Sequence, residues 1–85
     1  MKREEAIANA MSVLTYCELK NIGHIRSFTD YESLTQICLH FRKLGEEVYE
    51  AKKEIHPLLT DGTIIEVCSY PEKGYETLDI SWETK

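Results

Sequence analysis

The most regular hydrophobic pattern in the chain lies in residues 30–56, where apolar side chains recur at alternating steps of three and four residues. This spacing places them along one stripe of an α-helix. The stripe has seven members: Leu34, Ile37, Phe41, Leu44, Val48, Ala51 and Ile55. Thr29 and Glu32 have the spacing of a capping box, in which each side chain bonds to a free backbone amide of the first turn. We therefore predict one long helix that begins near Asp30 and ends near Ile55.

A shorter helical pattern precedes it over residues 2–20, where apolar side chains again recur at three- and four-residue steps. Asn21 or Gly23 can adopt the left-handed conformation that commonly ends a helix. The sequence between the two predicted helices, residues 24–29, is expected to be a connector.

The C-terminal part has the pattern of a β-hairpin. Two runs rich in β-branched and aromatic residues, TIIEVCSY and YETLDISWE, flank a Pro-Glu-Lys-Gly loop. If Tyr70 lies opposite Tyr75, the large apolar residues share one face: Ile65, Val67, Leu78, Ile80 and Trp82. A slip of one residue would divide them between the faces, so this register is preferred. Glu66 and Asp79 then lie opposite each other on the other face.

These elements predict a single α+β domain over residues 1–85, in the order helix, long helix, hairpin (ααββ). A helix of about 26 residues is about 39 Å long, whereas a domain of this size is about 30 Å across. Part of its apolar stripe would then lack cover within one chain. We expect a homodimer in which four residues of the long helix form the interface: Leu44, Val48, Ala51 and Ile55.

Charge narrows the classes of partner. The chain carries a net charge of −5, and six acids but only two bases lie in residues 61–85. Direct binding to nucleic acid or to an anionic membrane normally requires a basic surface, so neither is expected. The N-terminus has no long apolar run, and the three cysteines are dispersed, which is typical of reduced thiols in a cytoplasmic protein.

No catalytic, cofactor or metal motif occurs. His24, His40 and His56 lack the four-residue helical spacing of a metal site, and no two cysteines have zinc-binding spacing. Cys68, on the predicted outer face of the hairpin, is either a reactive thiol or a small apolar side chain. We therefore expect a protein that is not an enzyme and that needs no cofactor.

The outer face of the hairpin is the predicted partner-binding surface. It combines tyrosines with acids: Glu66, Tyr70, Tyr75, Asp79 and Glu83. Tyrosine is enriched at protein interfaces, and carboxylates select a basic partner. The hypothesis is a small inhibitor or regulator that docks on a basic surface of another protein. Clustered carboxylates can imitate the phosphates of nucleic acid, as in inhibitors encoded by mobile elements, but this comparison is an analogy.

The alternative is an oligomer that binds a small anion, such as a nucleotide, between its subunits. Four basic residues would form that site: Arg26, His40, Arg42 and Lys43. The two hypotheses predict different surfaces, one acidic and one basic.

Overall fold

The computed structural model describes residues 1–31, 33–42 and 44–84. In chain order its elements are α1 (Arg3–Lys20), β1 (His24–Asp30), β2 (Leu34–Phe41), α2 (Glu46–Ile55), a 3-10 turn (His56–Leu58), β3 (Thr63–Tyr70) and β4 (Tyr75–Glu83). The strands form one antiparallel sheet in the order β1-β2-β4-β3. Both helices pack on the same face of this sheet around one core. The fold is αββαββ, so the predicted order ααββ is wrong.

In the structure, a strand and a short helix lie where the long helix was predicted. In β2, the side chains of Thr35, Ile37, Leu39 and Phe41 are buried in strict alternation with less buried neighbours. Ile37 and Phe41 are four residues apart, a spacing that suits both the strand period of two and the helical period of 3.6. Leu39 is absent from the predicted helical stripe, yet it is completely buried. The strand therefore buries Leu39, which the predicted helix would have left off its apolar stripe.

The predicted connector is also a strand. Residues 24–30 form β1, which pairs with β2 and contains a bulge between Ile25 and Ser27. Thr29 therefore lies within a strand and does not begin a helix, while Glu32 lies outside the described residues. The Asp30 carboxylate accepts hydrogen bonds from Arg3 Nη2 at 2.6 Å and from Thr35 Oγ1 at 3.1 Å. These bonds connect the start of α1 with the outermost strand.

The first helix is confirmed almost to the residue, and it ends at Asn21 in the left-handed conformation. Its buried stripe uses small side chains, which allow the helix to approach the sheet closely: Ala6, Ala10, Val13 and Cys17. Two side chains of α1 form hydrogen bonds with the second half of the chain. Asn9 Nδ2 donates to Thr60 Oγ1 at 2.9 Å. Tyr16 donates to the Glu54 carboxylate of α2. Burial and this bond raise the pKa of Tyr16.

The hairpin register is confirmed. Tyr70 pairs with Tyr75, and Glu66 pairs with Asp79. Trp82 is completely buried, and its Nε1 donates to Thr63 Oγ1 at 2.7 Å. The hairpin forms half of the sheet because β4 also pairs with β2.

Three of the four residues predicted to form a dimer interface are buried within one chain. Val48, Ala51 and Ile55 are completely buried within one chain, so these side chains have no surface to offer a second copy. Leu44 lies before α2 and is half exposed. Helix α2 has 10 residues, and the long uncovered rod that suggested a dimer is not formed.

Candidate functional site

The face of the sheet opposite the helices, here called the outer face, is the candidate site. Strand pairing determines which residues it carries, because directly paired residues point to the same side. All five predicted partner-binding residues lie on this face: Glu66, Tyr70, Tyr75, Asp79 and Glu83. The described part of the chain contains no helix over this face, and Ile64 and Tyr70 are among its exposed large side chains.

A row of four rings crosses the outer face at one end of the sheet, with one ring from each strand. The ring centroids of His24 and His40 are 4.7 Å apart, and those of His40 and Tyr75 are 4.5 Å apart. Tyr75 in turn stacks on Tyr70 at 4.8 Å. Arg26 lies over Tyr75, with its guanidinium carbon 5.8 Å from the ring centre. We call these four rings the aromatic row.

The geometry of the aromatic row limits what it can bind. The rings of successive strands are inclined to one another by 43°, 34° and 29°, at separations typical of stacked pairs. The two inner rings, His40 and Tyr75, each lie between two neighbouring rings, and Arg26 also lies over Tyr75. A single-stranded nucleic acid would instead need open ring faces on which bases could stack. The row is better suited to hydrogen bonding and to edge contacts with another protein.

The centre of the outer face combines carboxylates and thiols. Cys68 donates to Asp79 Oδ2 at 3.2 Å, and Asp79 is flanked on its two sides by Cys38 and Glu66. The hydrogen bond with Asp79, together with burial, raises the pKa of Cys68 above its ordinary value. Burial, followed by the Asp79 hydrogen bond, raises the pKa of Cys38 to about 11. Both thiols are therefore protonated near neutral pH, which makes them weak nucleophiles.

The residues of the alternative hypothesis also come together, at the end of the outer face that carries the aromatic row. His40 lies between His24 and Tyr75, and Arg26 Nη1 donates to the Tyr75 hydroxyl at 3.5 Å. Arg42 lines a shallow depression of about 440 Å³ together with Gly23, His24, His40 and Glu47. We call His24, Arg26, His40 and Arg42 the basic corner. Lys43, the remaining member of the predicted set, lies outside the described residues.

The environment of His40 reflects this crowding of positive groups. Burial lowers the pKa of His40, and the charges of His24, Arg26 and Arg42 lower it further. The Nδ1 atom is shut off from solvent and has no hydrogen-bond partner among the described residues. Protonating that nitrogen would bury an unpaired N–H group, so the neutral ring is favoured.

Sequence reasoning missed His24 and the contact of Tyr75 with the basic corner. His24 belongs to the corner only because β1 pairs with β2, and Tyr75 lies beside the corner only because β2 pairs with β4. One signal was present in the sequence: the alternation of Cys38 and His40 with Ile37, Leu39 and Phe41, which indicates a strand with His40 on its outer side. His56, by contrast, lies in the 3-10 turn, away from the other two histidines in sequence and fold.

The described residues contain no group of three or more histidine, cysteine or acidic side chains arranged to hold a metal ion. Among these residues, none of the helices combines the length and the apolar character needed to cross a membrane. Comparison of the chain with protein-family models, with curated proteins and with solved structures finds no match.

Proposed function

We propose that the protein acts by binding another protein, and that the outer face of the sheet docks its acidic and tyrosine side chains on a basic surface of that partner. The observation that carries this proposal is the direct pairing of Glu66 with Asp79 on a sheet face that no described helix covers. Like charges opposite each other in a sheet reduce stability. A partner that places a lysine or arginine between Glu66 and Asp79 would relieve their repulsion. The charge complementarity would also make binding selective for such a partner.

The residues around Glu66 and Asp79 also support protein binding by the outer face. Ile64 and Tyr70 are 42% and 39% exposed, although both are large side chains on strands. Tyrosine offers a wide contact area and a hydroxyl group, which is why it is enriched in interface centres. A face with tyrosines at one end, carboxylates at its centre and Glu83 at the other end suits a protein surface that is basic and partly apolar.

The test compares two double variants with the same change of charge. Glu66→Lys/Asp79→Lys reverses the acidic pair on the outer face, whereas Glu4→Lys/Glu18→Lys reverses two exposed acids on α1, which packs on the opposite face. A partner captured by the immobilised wild-type protein is purified, and its affinity for all three proteins is measured by calorimetry. We expect the outer-face variant to bind at least about tenfold more weakly and the α1 variant to bind like wild type.

The salt dependence of partner binding provides a second test of the proposal. Binding of the wild-type protein should weaken as salt increases, because exposed charges are screened, and this dependence should be reduced in the outer-face variant. If the partner binds both double variants with equal affinity, docking occurs elsewhere and the proposal is wrong. Far-UV circular dichroism of each variant confirms that the comparison is made between folded proteins.

A further inference from the structure

The basic corner concentrates positive groups in a protein whose net charge is −5. Two guanidinium groups and two imidazole rings from β1 and from the end of β2 meet there. Among the described residues, Arg3 forms an ion pair with Asp30, whereas neither Arg26 nor Arg42 has a carboxylate partner. The positive groups around His40 repel one another, and a bound anion would offset that repulsion.

The shape of the corner fits a small ligand. The depression beside His24, His40 and Arg42 has a volume of about 440 Å³. Small-molecule sites commonly range from about 300 to 1,000 Å³. Arginine presents a planar fork of donors that matches the oxygens of a phosphate, and a histidine N–H adds a further donor. Among the described residues, Glu47 is the carboxylate in the lining, and it borders the depression from the first turn of α2.

We propose that the basic corner binds the phosphoryl group of a small molecule, such as inorganic phosphate or a nucleoside monophosphate. Arg42 and His24 line the depression that holds the phosphoryl group, and Arg26 contributes its charge from the neighbouring bulge of β1. His40 also lines the depression, and its ring lies between those of His24 and Tyr75. This site does not include the acidic pair at the centre of the outer face, so each proposal can be tested independently of the other.

A bound anion should change the titration of His40. The groups that face His40 are His24 and Arg26 from β1, Arg42 from the end of β2, Tyr75 from β4 and Glu47 from α2. All but Tyr75 and Glu47 disfavour a charge on His40, whereas a bound anion favours it. The pKa of His40 should therefore rise when phosphate is present.

The three histidines make an internal comparison possible. Inorganic phosphate is added to the full chain at constant ionic strength, and the ring signals of His24, His40 and His56 are followed by NMR. We expect the signals of His24 and His40 to move along a saturable curve while that of His56, in the 3-10 turn, moves little. If all three histidines respond alike or none saturates, the proposed site does not exist.

Variants test the role of individual charges. Arg42→Gln should weaken phosphate binding about tenfold or more, since it removes a charge-assisted hydrogen-bond donor. Lys53→Gln, which removes one exposed positive charge from α2, should leave it nearly unchanged. Glu47→Gln should strengthen binding because it removes the carboxylate from the lining. Equal effects of Arg42→Gln and Lys53→Gln would overturn the proposal.

Binding of adenosine monophosphate, compared with binding of inorganic phosphate and of adenosine, shows whether the site recognises a nucleotide or the phosphoryl group alone. Tighter binding of the monophosphate than of inorganic phosphate assigns the site to nucleotides, and equal binding assigns it to the phosphoryl group alone. Either result agrees with the proposal. Adenosine that binds as well as its monophosphate would show that the phosphoryl group is not recognised, and the proposal would fail.

Discussion

Two leucines five residues apart, Leu39 and Leu44, provide the sharpest test of the fold. Leu39 is completely buried in β2 opposite Leu78, whereas Leu44, two residues before α2, is 48% exposed. The helical stripe read from the sequence implies the reverse, because Leu44 belongs to it and Leu39 does not. Leu39→Ala and Leu44→Ala make the same chemical change, so the difference between them depends only on the surroundings of each side chain.

The expected magnitudes differ clearly. Truncating a fully buried leucine to alanine costs about 3–5 kcal/mol, which combines lost burial with the cavity left behind. A domain of this size has a free energy of unfolding of about 4–13 kcal/mol, at about 0.05–0.15 kcal/mol per residue. Leu39→Ala should therefore remove much of the stability and lower the Tm by about 12 °C or more. Leu44→Ala should change the free energy of unfolding by about 0.5 kcal/mol or less.

Urea denaturation followed by far-UV circular dichroism measures both effects. Leu39→Val, expected to cost about 1 kcal/mol, keeps the comparison possible if Leu39→Ala does not fold. The reasoning is refuted if Leu44→Ala destabilises the protein as much as Leu39→Ala, because residues 34–41 would then not form a strand with Leu39 in the core.

Three further predictions concern single residues. Trp82 should fluoresce at the short wavelengths of a buried indole and shift to longer wavelengths on unfolding; an emission maximum typical of water in the native state would contradict its burial. Cys68 should be alkylated slowly by iodoacetamide at pH 7.5, as measured by mass spectrometry, and faster in Asp79→Asn, because Asp79 raises the pKa of the thiol; equal rates would disprove this cause. The hydrogen bond from Arg3 lowers the pKa of Asp30, so the stability that it contributes is present above the ordinary aspartate pKa of about 3.9 and is lost as the pH falls through the lower folded value. The stability difference between wild type and Arg3→Gln should consequently shrink below about pH 4, and a difference that is the same at pH 6 and at pH 2.5 would argue against the ion pair.

The sequence alone determined the elements whose signals are local. Helix α1 follows from its apolar spacing and from the stop signal at Asn21, and the hairpin register follows from the phase of LDISW against IIEV. The same phase placed Glu66 and Asp79 together, because opposite residues in a two-stranded pairing are known once the turn is known. The composition of the acidic surface was therefore predictable before the fold was.

Long-range strand pairing determines the conformation of residues 24–30 and 34–41. Ile37 and Phe41 satisfy a helical and a strand period equally, and no local feature shows that β4 has a free edge available for β2. Pairing with β4 satisfies the backbone of β2 and buries Leu39, and this gain depends on residues about 40 positions later in the chain. The aromatic row and the basic corner arise from the same pairing, since His24, His40 and Tyr75 become neighbours only when β1, β2 and β4 lie side by side.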